Sequence, residues 1–237
     1  LTNYSIIVGG KDNLISGNTA SDNTSSSFIG GGKNNIALDG YLGTSAVVVG
    51  GNNNFAGGSY YTASFVGGGR FNKAFGQYSN VVGGVNNTIT NTGEYSSVIG
   101  GRNNMANAPS TFIGGGTFNS AMTNSSIVVG GISNLVSDTE SFIGGGQSNI
   151  NYGKRGFIGC GIGNVVGNEY AIIVGGYSNK TISKNSFIGG GKENSATTYY
   201  SIVVGGRKNS SFGNYGFVGG GFSNIASGNY SVVVGGG

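Results

Sequence analysis

The sequence predicts an all-β fold, a parallel β-roll or solenoid of about 15 coils, and three observations carry that expectation. A block of about nine residues, small-(usually apolar)-(Val/Ile)-x-Gly-Gly-x-x-Asn, begins fifteen times, the last copy reaching only Gly237. In the second half the blocks begin every 15 residues, at Ser126, Ser141, Gly156, Ala171, Ser186, Ser201, Gly216 and Ser231. Gly is 51 of the 237 residues, yet Pro occurs once and no Gly-X-Y triplet is present. Glycine at a fixed short period among β-branched residues belongs to the turns of a repeat fold, not to collagen or to disorder.

Within each block the second to fourth residues alternate across a strand, so the third faces one side and its two neighbours the other. The third is Val or Ile in every copy, from Ile7 and Ile29 to Val218 and Val233, and is expected to fill a buried interior. The other face is nearly as apolar. Phe with Gly (Phe142/Gly144, Phe187/Gly189, Phe217/Gly219) takes turns there with Ile or Val with Val (Ile127/Val129, Ile202/Val204). A ring over the space left by Gly keeps the volume level, as close packing requires. So thin a roll cannot bury both faces, and lateral association into a homotrimeric rod is the expected remedy.

The paired glycines end the strand, where positive φ or close backbone approach is needed. Cys160 replaces the first of them once and is expected to act as a small apolar substitute. The block closes on Asn13, Asn35, Asn54, Asn72, Asn87, Asn104, Asn119, Asn134, Asn149, Asn164, Asn179, Asn194, Asn209 and Asn224. Amides stacked from coil to coil hold a turn, so this column is expected to be structural. A weaker half-motif follows, as in Asn72-Lys-Ala-Phe-Gly-Gln-Tyr-Ser79 and Asn224-Ile-Ala-Ser-Gly-Asn-Tyr-Ser231, and supplies a second strand and a return turn.

The first blocks begin at Ser5, Ser27, Ala46, Ser64, Ser79, Ser96 and Thr111, at intervals of 22, 19, 18, 15, 17 and 15 residues. A single repeat domain over 1–237 therefore divides into irregular, loop-bearing coils over 1–110 and regular 15-residue coils over 111–237. The extra length falls after the block Asn, so the insertions emerge on one side, and Tyr41, Tyr60 and Tyr61 within them are candidate contact residues. The chain starts just ahead of one block and stops inside another, and reads as an excerpt of a longer protein.

These blocks resemble the heads of trimeric autotransporter adhesins, the YadA-like heads, whose coils carry Asn/Ser-x-Ala-x-Gly-x-x-Ser-Val-Ala-Ile-Gly. Related Gly-Gly-x-x-Asn-x-Ala-x-Gly repeats occur in phage tail fibres and in surface fibres of large viruses. The resemblance covers essentially the whole chain. It implies a left-handed parallel roll assembled as a trimer, with the strand Ser-Ile-Val-Val-Gly-Gly toward the threefold axis. The 15-residue coil, the Gly-Gly doublet and the frequent Phe depart from that pattern.

Composition narrows the function. There is no His and one Cys, so a disulfide within the chain and a thiolate metal cluster are excluded. No cofactor is expected. Twelve basic and eight acidic residues are thinly spread, unlike the basic stripe of a nucleic-acid binder, and no apolar run is long enough to insert in a membrane. Gly30-Gly-Gly-Lys33 and Gly189-Gly-Gly-Lys192 lack the spacing of a phosphate loop. Four Asp in all are too few for a calcium roll, and the scattered acids, with Asp138 and Glu140 the closest pair, do not suggest catalysis.

Two partial columns remain. Tyr4, Tyr78, Tyr95, Tyr170, Tyr200, Tyr215 and Tyr230 precede their blocks, and Lys11, Lys33, Arg70, Arg102, Lys192 and Arg207 follow the Gly pair. They either cover corners of the roll or hold host-surface or matrix glycans by stacking and charge. The expectation is a non-enzymatic extracellular fibre or adhesin shaft at a cell or virion surface, self-associating as a trimer or a longer filament. The alternatives are a receptor-binding phage or virus fibre, a polysaccharide-degrading spike and an ice-binding solenoid.

Overall fold

The structure, a computed structural model, describes residues 4–17, 26–39, 45–58 and 63–237. Tyr41, Tyr60 and Tyr61 lie outside the described residues. The chain forms two compact units, Leu1–Asn124 and Ser125–Gly237, and the same coil recurs in each. The described residues contain no helix.

Each coil carries two short strands. The first lies on the second and third block residues and the second begins directly after the block Asn. In Ser125–Gly237 the first strands pair in chain order and in parallel, from Ile127–Val128 through Phe142–Ile143 to Val232–Val233. The second strands do the same from Leu135–Val136 to Ile225–Ala226. Leu1–Asn124 repeats both ladders, from Ile6–Ile7 to Phe112–Ile113 and from Leu14–Gly17 to Ser120–Ala121. The fold is a parallel β-solenoid in which each residue lies over its counterpart one coil away.

The interior follows from side-chain volume. The third block residue is fully buried in nearly every coil, as at Ile29, Val98, Ile143 and Val218. Beside this bulky column runs a smaller one from the second strand, with Ala37, Ala74, Ala106, Ala121 and Ala196 also buried. Burying one such Val or Ile contributes roughly 1.5–3 kcal/mol. At several coils the small first residue also carries a hydroxyl that reaches a turn carbonyl: Ser79 Oγ donates to Gly76 O at 2.6 Å and Ser201 Oγ to Thr198 O at 2.7 Å.

The Gly pair is not two equivalent residues. At Gly146 φ is +90°, and a Cβ would stand 2.0 Å from the Gly161 carbonyl oxygen of the next coil; at Gly145 a Cβ meets open space. Only the second glycine of the pair is obligatory, and this accounts for Cys160, which occupies the first position.

In most coils from Ser79 onward two further corners turn through the left-handed region on residues other than glycine. Lys208 has φ 58° and Tyr215 φ 57°. Each such residue costs about 1–2 kcal/mol, and each donates its N–H to the preceding coil, Lys208 to Lys192 O and Tyr215 to Tyr199 O, both at 2.9 Å. The repeated inter-coil hydrogen bond offsets the strain.

In the irregular coils part of the inserted length extends the second strand, to Leu14–Gly17, Ile36–Asp39 and Phe55–Gly57. Asp39, at the end of one of these, is buried and accepts a hydrogen bond from the Ser27 hydroxyl.

Candidate functional site

The Asn column is built into the backbone. Asn87 Nδ2 donates to Gly83 O of its own coil at 2.9 Å and to Gly101 O of the next at 3.0 Å, and its Oδ1 accepts the Asn104 N–H at 3.0 Å. The same three bonds recur at Asn13, Asn35, Asn54, Asn72 and Asn104 in the first unit. They recur at Asn134, Asn149, Asn164, Asn179, Asn194 and Asn209 in the second. Asn119 donates to Gly115 O, and Asn224 to Gly220 and Gly236. The partners are mostly backbone groups, with further amide-to-amide bonds within the column at 3.2 Å between Asn13 and Asn35, Asn134 and Asn149, and Asn209 and Asn224. These side chains satisfy carbonyls that the glycine turn leaves open. At Asn87 and Asn149, for instance, both amide N–H groups are committed to carbonyls.

Tyr78, Tyr95, Tyr170, Tyr200, Tyr215 and Tyr230 occupy the left-handed corner before their blocks. Tyr200 stacks on Tyr215 at 5.0 Å between ring centroids and Tyr215 on Tyr230 at 5.1 Å, with interplanar angles of 4° and 3°. Tyr78 and Tyr95 stack at 5.2 Å. Tyr215 therefore has both ring faces covered by neighbours, and what it presents to solvent is a ring edge and a hydroxyl. Stacking of a sugar on that face is pre-empted.

Tyr170 belongs to a polar stretch of the same column. Arg155 lies between Glu140 and Tyr170, with Nε 2.5 Å from Glu140 Oε2 and a guanidinium nitrogen bonded to the Tyr170 hydroxyl. That hydrogen bond holds the Glu140 carboxyl below its ordinary range and raises Arg155. Lys184, 3.0 Å from Glu169, is raised by the same kind of contact. Tyr4 stands exposed at the first described residue.

The basic residues form a third ladder, one parallel bridge per coil at the seventh block residue. In Leu1–Asn124 it runs Lys11, Lys33, Asn52, Arg70, Val85, Arg102, Thr117, and in Ser125–Gly237 Ile132, Gln147, Ile162, Tyr177, Lys192, Arg207, Phe222. Lys11, Lys33, Arg70 and Arg102 are exposed. In the second unit Glu193 lies 3.6 Å from Lys192 and 4.0 Å from both Arg207 and Lys208. All ion pairs among the described residues are in that unit.

Beside this ladder, the eighth block residues add groups that sequence reading passed over: Asn34, Asn53, Asn86 and Asn103, with exposed Phe71 and Phe118. Arg70 lies over the Phe71 ring, 4.7 Å from its centroid. The signal was available, since an apolar ring directly before the invariant Asn serves neither buried column.

The outer face of the first sheet carries a row of exposed and half-buried apolar residues. Phe142 lies across its own coil's Gly144, where an added Cβ would meet Phe142 Cε1 at 3.3 Å and the Gly159 carbonyl oxygen at 2.3 Å. Phe142 also stacks on Phe157 at 5.2 Å. Between the Phe/Gly coils stand Val129, Val174 and Val204, each 47% exposed, and in the first unit Val49, Val82 and Ile99.

The acids are dispersed. Asp138 Oδ1 accepts the Thr139 N–H at 2.7 Å in its own turn, and Glu140 is held by Arg155. No group of three or more His, Cys, Asp or Glu comes together among the described residues. No protein-family model matches this chain, and no curated protein matches it in sequence.

Proposed function

We propose that the chain is a non-enzymatic fibre or adhesin shaft, exposed at a cell or virion surface and assembled from identical copies as a homotrimer. The observation that carries this reading is the apolar outer face of the first sheet. Val129, Val174 and Val204 repeat there at the same exposure, flanked by half-buried Phe. A row of this length in water is an association surface. Rings lying over glycines make the row level enough for a second copy to pack against it.

The coil itself supports a mechanical role. Each turn is tied to the next by two ladders of paired strands and by the Asn bonds to backbone, so stiffness comes from hydrogen bonds repeated along the chain. Glycans of a host surface or matrix are the ligands such a shaft would meet.

The test is a variant with Val129, Val174 and Val204 each changed to Asp. It is expected to sediment as a single 23.7 kDa chain with unchanged β content, while the parent sediments as an assembly. A variant of unchanged assembly mass removes the face from the interface.

A further inference from the structure

We infer that the corner made by the seventh and eighth block residues in Leu1–Asn124 is a binding track for a linear acidic polysaccharide lying along the coil stack. The inference deepens the reading of the chain as a surface-binding shaft and rests on it.

Lys33, Arg70 and Arg102 occupy every second coil of one bridged ladder. With about 4.8 Å per parallel rung, their backbone sites recur at about 9.6 Å. They are exposed, and none has an ion-pair partner among the described residues. The equivalent cations of the other unit share Glu193. One ladder thus carries unneutralised charge in one unit and neutralised charge in the other.

The neighbouring column supplies what a sugar needs besides charge. Asn86 Nδ2 donates to Asn103 Oδ1 at 2.7 Å, an exposed amide pair beside the ladder. Phe71 and Phe118 are exposed rings on the same column. The backbone N–H groups of Phe71, Asn86, Asn103 and Phe118 are all committed to carbonyls of the preceding coil, at 2.8–3.0 Å. The coil bonds therefore do not depend on which side chain stands at these places. Arg70 lies over one face of the Phe71 ring and the Asn86–Asn103 bond uses one amide N–H of Asn86, so a ring edge, a second ring face and the remaining amide groups are what a ligand would meet. Amides exchange hydrogen bonds with sugar hydroxyls, a ring packs on the apolar face of a pyranose, and a guanidinium or ammonium binds a carboxylate.

Spacing separates this ligand from a nucleic acid. Duplex DNA carries a phosphate roughly every 3.4 Å along each strand, far denser than one cation per two coils. Phe71 and Phe118 are three coils apart on the stack, too distant to stack successive bases. A polysaccharide with a carboxylate on alternate sugars fits the alternate cations.

The experiment is calorimetric titration of the whole chain with hyaluronan, which carries one carboxylate per disaccharide, alongside neutral dextran and single-stranded poly(dT). The expected result is binding to hyaluronan that weakens as salt is added, with none to dextran and weaker binding to poly(dT). Changing Lys33, Arg70 and Arg102 together to Gln is expected to weaken binding by at least about tenfold, because the contacts are exposed and electrostatic. Changing Lys192 and Arg207 to Gln is expected to alter it by less than about twofold. Phe71→Ala weakens binding and Phe71→Tyr keeps it.

The proposal is overturned by unchanged affinity in the triple Gln variant, by equal binding of dextran, by tighter binding of poly(dT), or by no binding of hyaluronan. Solution mass is measured on the same samples. An assembled parent that ignores hyaluronan overturns the track alone, whereas a monomer that binds it overturns the shaft and keeps the track.

Discussion

The side-chain oxygen of Asn151 stands where a side chain on Gly156 would begin: a Cβ at Gly156 would lie 2.4 Å from Asn151 Oδ1. Asn151 replaces the small interior residue of the second strand, and its amide bonds Phe142 O at 3.2 Å and the Gly153 N–H at 3.0 Å. In several other coils the pair is Ala with Ser, as at Ala121 and Ser126 or Ala196 and Ser201. The same exchange occurs at Ser211, whose Oγ would lie 2.6 Å from a Cβ on Gly216.

Gly156→Ser alone is therefore expected to destabilise by about 1–3 kcal/mol, the usual cost of overpacking a filled interior. Combined with Asn151→Ala it restores the common pair, and the double variant is expected to be more stable than the sum of the two single changes by at least about 1 kcal/mol. Denaturant unfolding of the four proteins measures the coupling. Additive effects would separate the two residues.

The Gly pair gives a contrast within two adjacent positions. Gly146→Ala forces a Cβ against the Gly161 carbonyl at φ +90°, and is expected to lower stability by more than about 2 kcal/mol. Gly145→Ala points into open space and is expected to stay within about 0.5 kcal/mol of the parent. Thermal melts of both, with Cys160→Ala as a further neutral change, check the asymmetry.

Asn149→Ala strips hydrogen bonds from the carbonyls of Gly145 and Gly161 and from the Asn164 N–H. The expected loss is about 2–4 kcal/mol, since buried backbone groups are left without partners. Asn149→Asp keeps an acceptor but loses both donors and sets a charge against two carbonyls, so it is expected to be at least as damaging at neutral pH. Hydrogen exchange at the Asn164 amide reports the local opening.

How far the sequence led is clear from these positions. The buried Val or Ile column and the closing Asn were legible because period and residue type both point to one role. The partners of the Asn were not, because a repeated Asn is compatible with amide stacks or with bonds to backbone, and only the turn geometry decides. Two glycines written alike hid an asymmetry whose single trace was Cys160. Left-handed corners at Phe71, Lys208 and the Tyr residues were illegible because inter-coil hydrogen bonds override local preference. The columns named as surface sites differ for a physical reason: Tyr215 is covered on both faces by Tyr200 and Tyr230, while the cations of the first unit stand open.

Protonation offers a small, signed test. Glu140 has its carboxyl lowered by Arg155, so its contribution is fully present above the ordinary carboxyl value of 4.5 and is lost as pH falls through the lowered one. The melting temperature of the parent is expected to exceed that of Glu140→Gln slightly at neutral pH and to converge with it once pH falls below the lowered carboxyl value, the pair being exposed and weak. A gap that widens on acidification would reverse the assignment.

The apolar first-sheet face is the central claim, and mass in solution tests it most directly. Analytical ultracentrifugation of the chain at micromolar concentration is expected to give an assembly of three times 23.7 kDa, with Val129, Val174 and Val204 shielded. A stable, soluble monomer carrying that face in water would contradict it.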